Sequence, residues 1–235
     1  DAKVSGKVSE KELLVGAENF SVAKTYLKRQ GIEKVDLILA DLGLSSMQID
    51  DPSRGFTFKF DGPFDLRMNP TKCPTAAEFL SRVTEAELRA ILAENSDEPH
   101  ARQLAEALIK KKPTTTKAVA EAVRAVVKTF SKAIREREGD TPIRRVFQAL
   151  RIEVNEEFSS LERFLENIPQ ILAKGGRVAI LSFHSGEDRR VKKSFQTAFR
   201  AGVYSQISPE ALRASPEEQR ANPRSRPAKL RWAIR

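Results

Sequence analysis

The sequence holds one cysteine, Cys73, and two histidines, His100 and His184, in 235 residues. A lone thiol cannot close an internal disulfide or build a thiolate metal cluster. The chain therefore fits a reducing compartment, the cytoplasm, and no metal site is expected. No apolar run approaches the roughly 20 residues that span a bilayer, and no signal-peptide core opens the chain, so a membrane partner is not expected. Glycine occurs 11 times but never as G-x-G, so these residues hold no dinucleotide-type glycine-rich loop. Net charge is also missing from most of the chain. Residues 189–235 carry twelve Lys/Arg against three Glu, which accounts for the whole excess of +9 and leaves the first 188 residues neutral. A charge confined to one end is either a polyanion footprint or a solubilising tail.

What is present reads as alternating helices and strands. "SVAKTYLKRQGI" has helical spacing at Val22, Tyr26 and Leu27 and stops at Gly31. "VDLILA" is a continuous apolar run, as expected of a strand buried on both faces. This strand ends in Asp41, followed by Gly43, Ser45, Ser46 and Gln48. A carboxylate, two hydroxyls and an amide at a strand exit suit a ligand site, since open parallel sheets bind ligands outside the carboxyl ends of their strands. The alternative reading of Asp41 is a carboxylate that caps the following turn.

Residues 52–70 read as a loop, with Phe56, Phe58 and Phe60 alternating either to stack on a base or to pack on neighbouring helices. Residues 75–140 are helical throughout, opened by the capping boxes Thr75/Glu78 and Thr84/Glu87. From Thr141-Pro142 the alternation resumes. Two helices lead to Gly175-Gly176 and a second buried strand, "RVAILSF", whose exit is "HSGEDRR". "VYSQIS" and "KLRWAIR" are expected to pair antiparallel around a proline-rich loop. Lys229, Arg231 and Arg235 then alternate onto one face.

Taken together, "VDLILADLGLSSMQIDDPSRGFTF", "DGPFDLRM", "RRVFQALRIEVNEE", "GGRVAILSFHSGEDRRVK" and "NPRSRPAKLR" resemble, in order, the signatures of the family that methylates cytosine N4 in 16S ribosomal RNA. The resemblance spans essentially the whole chain. It implies an α/β fold: a Rossmann-like class I methyltransferase core, incomplete at its N-terminus, with an inserted all-helical domain. The implied division is 1–69, 70–140 and 141–235. It implies S-adenosylmethionine as cofactor and ribosomal RNA, in the small subunit, as partner. It leaves open a homodimer formed through the helical insertion.

The family's glycine-rich cofactor loop has no counterpart here. By the resemblance Asp1 falls close to the ribose-binding acid, so this sequence is expected to omit residues or to be a fragment that binds cofactor poorly. A non-catalytic RNA-binding homologue, or a methyltransferase of a protein or small molecule, are the rival readings. The resemblance further implies cofactor contacts at Asp1, Phe20, Asp41 and Gln48. The candidates for the proton acceptor on the amine are Asp41, Ser45 and Ser46. His184 either relays that proton, contacts the base, or is structural and oriented by Asp188. Phosphate contacts are expected from Arg189, Arg190, Lys192, Arg224, Arg226, Lys229 and Arg231.

Overall fold

The computed structural model describes residues 16–235. Asp1, an expected cofactor contact, lies outside the described residues.

Among the described residues four strands form one sheet: β1 (Val35–Asp41), β2 (Leu172–Ser182), β3 (Gln206–Ile207) and β4 (Lys229–Ile234). Their order is β1-β2-β4-β3. β1 runs parallel to β2, with Asp41 opposite Leu181, while β4 is antiparallel to both β2 and β3. The expected antiparallel pairing at the C-terminal end is therefore observed. Gly175 takes φ +79° inside β2, where the pairing with β1 slips, so the two glycines form a bulge rather than a turn before the strand.

Eleven helices are seen among the described residues: α1 (Ala23–Arg29), α2 (Ser46–Asp50), α3 (Ala76–Arg82), α4 (Glu85–Ser96), α5 (Ala101–Lys111), α6 (Thr116–Val127), α7 (Lys132–Glu138), α8 (Thr141–Val154), α9 (Glu157–Ile171), α10 (Ser185–Arg200) and α11 (Pro216–Ala221). The boxes at Thr75/Glu78 and Thr84/Glu87 open α3 and α4 as their spacing predicts.

Two apolar cores are distinct. One covers the sheet, where Phe164 and Ile168 of α9 and Val191 and Phe195 of α10 pack on Val178 and Ile180. The other joins Leu88 and Leu92 of α4, Leu104 and Leu108 of α5, and Val119 and Val123 of α6. This second core also takes in Ile143, Val146 and Leu150 of α8, and Phe64 and Leu66 before α3. Each such side chain contributes about 2 kcal/mol on burial, so the helices from α3 to α6 are bound firmly to α8. Phe58 meets Phe147 edge-on at 5.7 Å, so packing accounts for part of the alternating phenylalanines, whereas Phe60 is exposed.

β1 departs from expectation. Ile38 and Ala40 pack on the sheet core, but Leu37 and Leu39 are 65% and 71% exposed. Among the described residues β1 pairs with β2 alone, and no layer covers its second face. A continuous apolar run specifies a strand but not what lies against it.

Candidate active site

Because β1 and β2 are parallel neighbours, their C-terminal ends open side by side, and both feed one cleft of about 1140 Å³. Asp41, Ser45 and Ser46 come from the first exit, Phe183 and His184 from the second. Gly43 makes the turn out of β1 at φ +94°, a left-handed conformation that favours glycine. A third wall comes from α8. Arg144, Phe147, Gln148 and Arg151 stand at i, i+3, i+4 and i+7 and so share the face that lines the cleft.

The polar residues after β1 divide into two kinds. Ser45 Oγ accepts the Gln48 amide at 3.3 Å, while Gln48 Oε1 accepts the Ser45 amide at 3.0 Å. This is a capping box that opens α2. Its signal, S-x-x-Q, stands in the sequence beside the boxes that were recognised. Gln48 does not line the cleft, and its carbonyl oxygen is committed to the cap. Ser46 lines the cleft and makes no side-chain hydrogen bond among the described residues. The same holds for Asp41, which is exposed and caps nothing. Turn-capping, the alternative reading of Asp41, belongs to Ser45.

Phe20 lies elsewhere. It packs edge-on against Phe164 at 5.3 Å in a separate apolar depression with Tyr26, Leu37 and Leu39. The structure therefore does not bring Phe20, Asp41 and Gln48 into one cavity.

At the exit of β2, His184 is the N-cap of α10. Its Nδ1 accepts the Glu187 amide at 3.4 Å, which assigns the proton to Nε2. Nε2 is buried 3.3 Å from Glu187 Oε1, an ion-pair distance without the alignment of a good hydrogen bond. Glu187 Oε2 accepts the Phe183 amide at 2.9 Å. Burial pushes the Glu187 carboxyl up, but His184, the Phe183 amide and Arg151 outweigh it and hold it below the usual range. Gly186 is required here, because a Cβ would stand 2.6 Å from the Phe158 ring and 3.2 Å from His184 Nδ1. The expected partner of His184 was Asp188; the structure gives it Glu187 instead.

Asp188 turns to β4. It takes Arg231 Nε at 2.6 Å and Lys229 Nζ at 3.2 Å. Arg231 is 8% exposed, so it does not present a cation to an RNA backbone. The alternation along β4 is real, but its charged face packs on α10 rather than facing solvent. Other expected phosphate contacts also hold acids. Arg189 pairs with Asp97, Arg190 with Glu162 and Arg224 with Asp50. Lys192 and Arg226 are exposed, have no ion pair among the described residues, and do not line the cleft.

Sequence reasoning passed over Arg151 and Glu157, which form a bidentate pair at 2.7 and 2.9 Å beside the cleft. Donor atoms of Glu157, His184 and Glu187 lie within 4.8 Å of one another. Arg151 already supplies the cation that this acidic group would take.

A family model, the MraW methylase family, matches residues 2–235. The chain is 47% identical over 222 residues to ribosomal RNA small subunit methyltransferase H 1 of Lachnoclostridium phytofermentans, covering 92% of this chain and 60% of that protein. It is 50% identical over 206 residues to ribosomal RNA small subunit methyltransferase H 2 of Alkaliphilus metalliredigens, covering 86% and 59%. With ribosomal RNA small subunit methyltransferase H of Crocosphaera subtropica it shares 40% over 247 residues, covering 100% and 76%. The chain thus spans about 60% of the length of the first two relatives. With a family match over nearly its whole length, the chain belongs to the MraW methylase family.

Proposed function

We propose that this protein takes part in S-adenosylmethionine-dependent methylation of the N4 amine of a cytidine in small-subunit ribosomal RNA. The observation that carries this reading is Asp41: a carboxylate with no hydrogen-bond or ion-pair partner among the described residues, at a strand exit, on the wall of a cleft. The relatives' names supply the substrate class. The MraW methylase family supplies the cofactor class.

Cytosine N4 is a weak nucleophile because its lone pair is delocalised into the ring. A carboxylate that accepts an N4–H hydrogen bond restores electron density to the nitrogen and takes its proton as a new bond forms. Both Asp41 carboxylate oxygens are free of side-chain hydrogen bonds among the described residues, and Ser46 can hold the amine's second hydrogen. The base must leave its stack to reach them, and Phe183 and Phe56 offer apolar walls to a flipped ring.

The cleft is also large enough for the cofactor. At about 1140 Å³ it exceeds the roughly 300–1000 Å³ of a pocket for one small ligand. The turn from Gly43 to Ser46 offers open backbone to the cofactor, and Asp41 offers charge. S-adenosylmethionine, when bound, supplies an electrophilic methyl group. The residues named here would orient the amine toward it and exclude water.

The test is transfer of labelled methyl by the full-length protein to small ribosomal subunits, naked ribosomal RNA and a protein extract. Label recovered as N4-methylcytidine is the expected result. Label in protein or in another nucleoside would overturn the reading.

A further inference from the structure

Five cations line the cleft, and they fall into two groups. Arg151 is held by Glu157 and Arg224 by Asp50. Lys59, Arg144 and Arg213 are exposed and have neither an ion pair nor a side-chain hydrogen bond among the described residues. These three come from separate parts of the chain. Lys59 sits in the loop before α3, Arg144 in the first turns of α8, and Arg213 in the connection from β3 to β4. Three cations without an ion pair among the described residues thus line the same cleft as Asp41.

We propose that Lys59, Arg144 and Arg213 are the phosphate contacts that hold a single-stranded RNA segment across the cleft while one of its bases lies beside Asp41. This deepens the proposed function and rests on it for the identity of the strand.

Charge balance argues for these three over the acid-paired cations of the basic C-terminal end. A phosphate that binds a free cation releases condensed counterions from the nucleic acid, and this drives association. A phosphate that binds Arg189, Arg190 or Arg224 must first displace Asp97, Glu162 or Asp50. The freed carboxylate takes back a cation from solution, which cancels the release. Lys229 and Arg231 are worse placed, since displacing Asp188 would open a buried pair. Position supports the same choice. Arg144 stands two turns of helix from Arg151 on the face that lines the cleft, so a strand gripped there passes the mouth rather than the back of the molecule. Phe56 and Phe58 line the same cleft and are aromatic surfaces of the kind unstacked bases pack on. None of this depends on sequence readout, since phosphate contacts position a strand and carry no base information.

The test uses a cytidine-containing single-stranded RNA oligonucleotide and the full-length protein. Affinity is measured against salt for the wild type, for the triple variant Lys59→Gln, Arg144→Gln, Arg213→Gln, and for the triple variant Arg189→Gln, Arg190→Gln, Arg224→Gln. Each single-strand phosphate contact contributes about 0.7 to the slope of log affinity against log salt. The cleft variant should flatten that slope by about two, with thermal unfolding and S-adenosylmethionine affinity unchanged. The second variant should alter it by less than one. An unchanged slope in the cleft variant, a larger loss in the other, or no RNA binding by the wild type overturns the proposal. Methyl transfer to a non-RNA acceptor alongside the expected slopes would sink the proposed function while leaving these contacts in place.

Discussion

Arg231 on β4 and Asp188 on α10 meet at 2.6 Å, each less than one-tenth exposed. This contact fastens the helix after the β2 exit to the strand beside it. Burial pushes the Asp188 carboxyl up, but Arg231 and Lys229 together hold it below its ordinary range. A carboxylate lowered in the fold contributes stability above its unfolded value of about 3.9, and loses that contribution as pH falls through the folded value. Asp188→Asn leaves Arg231 buried without a counter-charge and should cost roughly 3 kcal/mol at pH 7. Urea unfolding of both proteins at pH 7 and at successively lower pH below about 3.9 checks this. The gap should be wide at neutral pH and narrow in acid. A gap that stays constant across that range would remove the ion pair as its cause.

Asp41 is predicted to matter for turnover and not for folding. It is exposed and makes no side-chain hydrogen bond among the described residues, so Asp41→Ala removes no stabilising contact. If it accepts the N4 proton, methyl transfer should fall by about 10²-fold or more. Asp41→Asn keeps the shape and loses the basicity, and it should fall comparably. Circular dichroism and a melting curve confirm the fold. Turnover near wild type in both variants would remove the acceptor role.

How far the sequence carried can be read at particular residues. The strand exit at Asp41 was legible because an apolar run ending in polar residues has few other meanings. Ser45 and Gln48 were legible too, as S-x-x-Q, yet reading Ser45 as a proton acceptor and Gln48 as a cofactor contact hid the capping role. The fate of the β4 cations was not legible. A period of two says that Lys229 and Arg231 share a face, but only the packing of α10 shows which face it is. The cleft face of α8 lay open in the spacing of Arg144, Gln148 and Arg151. Nothing in one sequence said that this face looks toward β1.

The helical segment gives a prediction that reverses the simplest reading of an insertion. Removing residues 70–140 would expose Ile143, Val146 and Leu150, all at most 1% exposed, together with Phe64 and Leu66. At about 2 kcal/mol for each side chain, the loss approaches the stability of a whole domain. The deletion variant should aggregate or lose its cooperative transition in urea. A sharp transition with an intact sheet would show that the second core is separable from the first.

His184 separates a positioning role from a catalytic one. Its Nδ1 is committed to the Glu187 amide, and its Nε2 faces the Glu187 carboxylate. A general base needs a free lone pair, and in this geometry the ring has none to offer. An imidazole that took up a second proton could no longer accept at Nδ1, so proton relay would undo the cap of α10. The chain's own geometry therefore favours His184 as the residue that fixes Glu187 and, through it, the Phe183 amide. Asparagine is among the best N-cap residues, so His184→Asn should keep α10 in place and lose less than tenfold in kcat, with the pH profile unmoved. His184→Leu removes the cap acceptor as well. It should lower the melting temperature and disturb KM as the loop at Phe183 shifts. If His184→Asn instead cost 10²-fold or more in kcat and erased a limb of the pH profile while remaining folded, the histidine would be a proton carrier and the cap a secondary use of it.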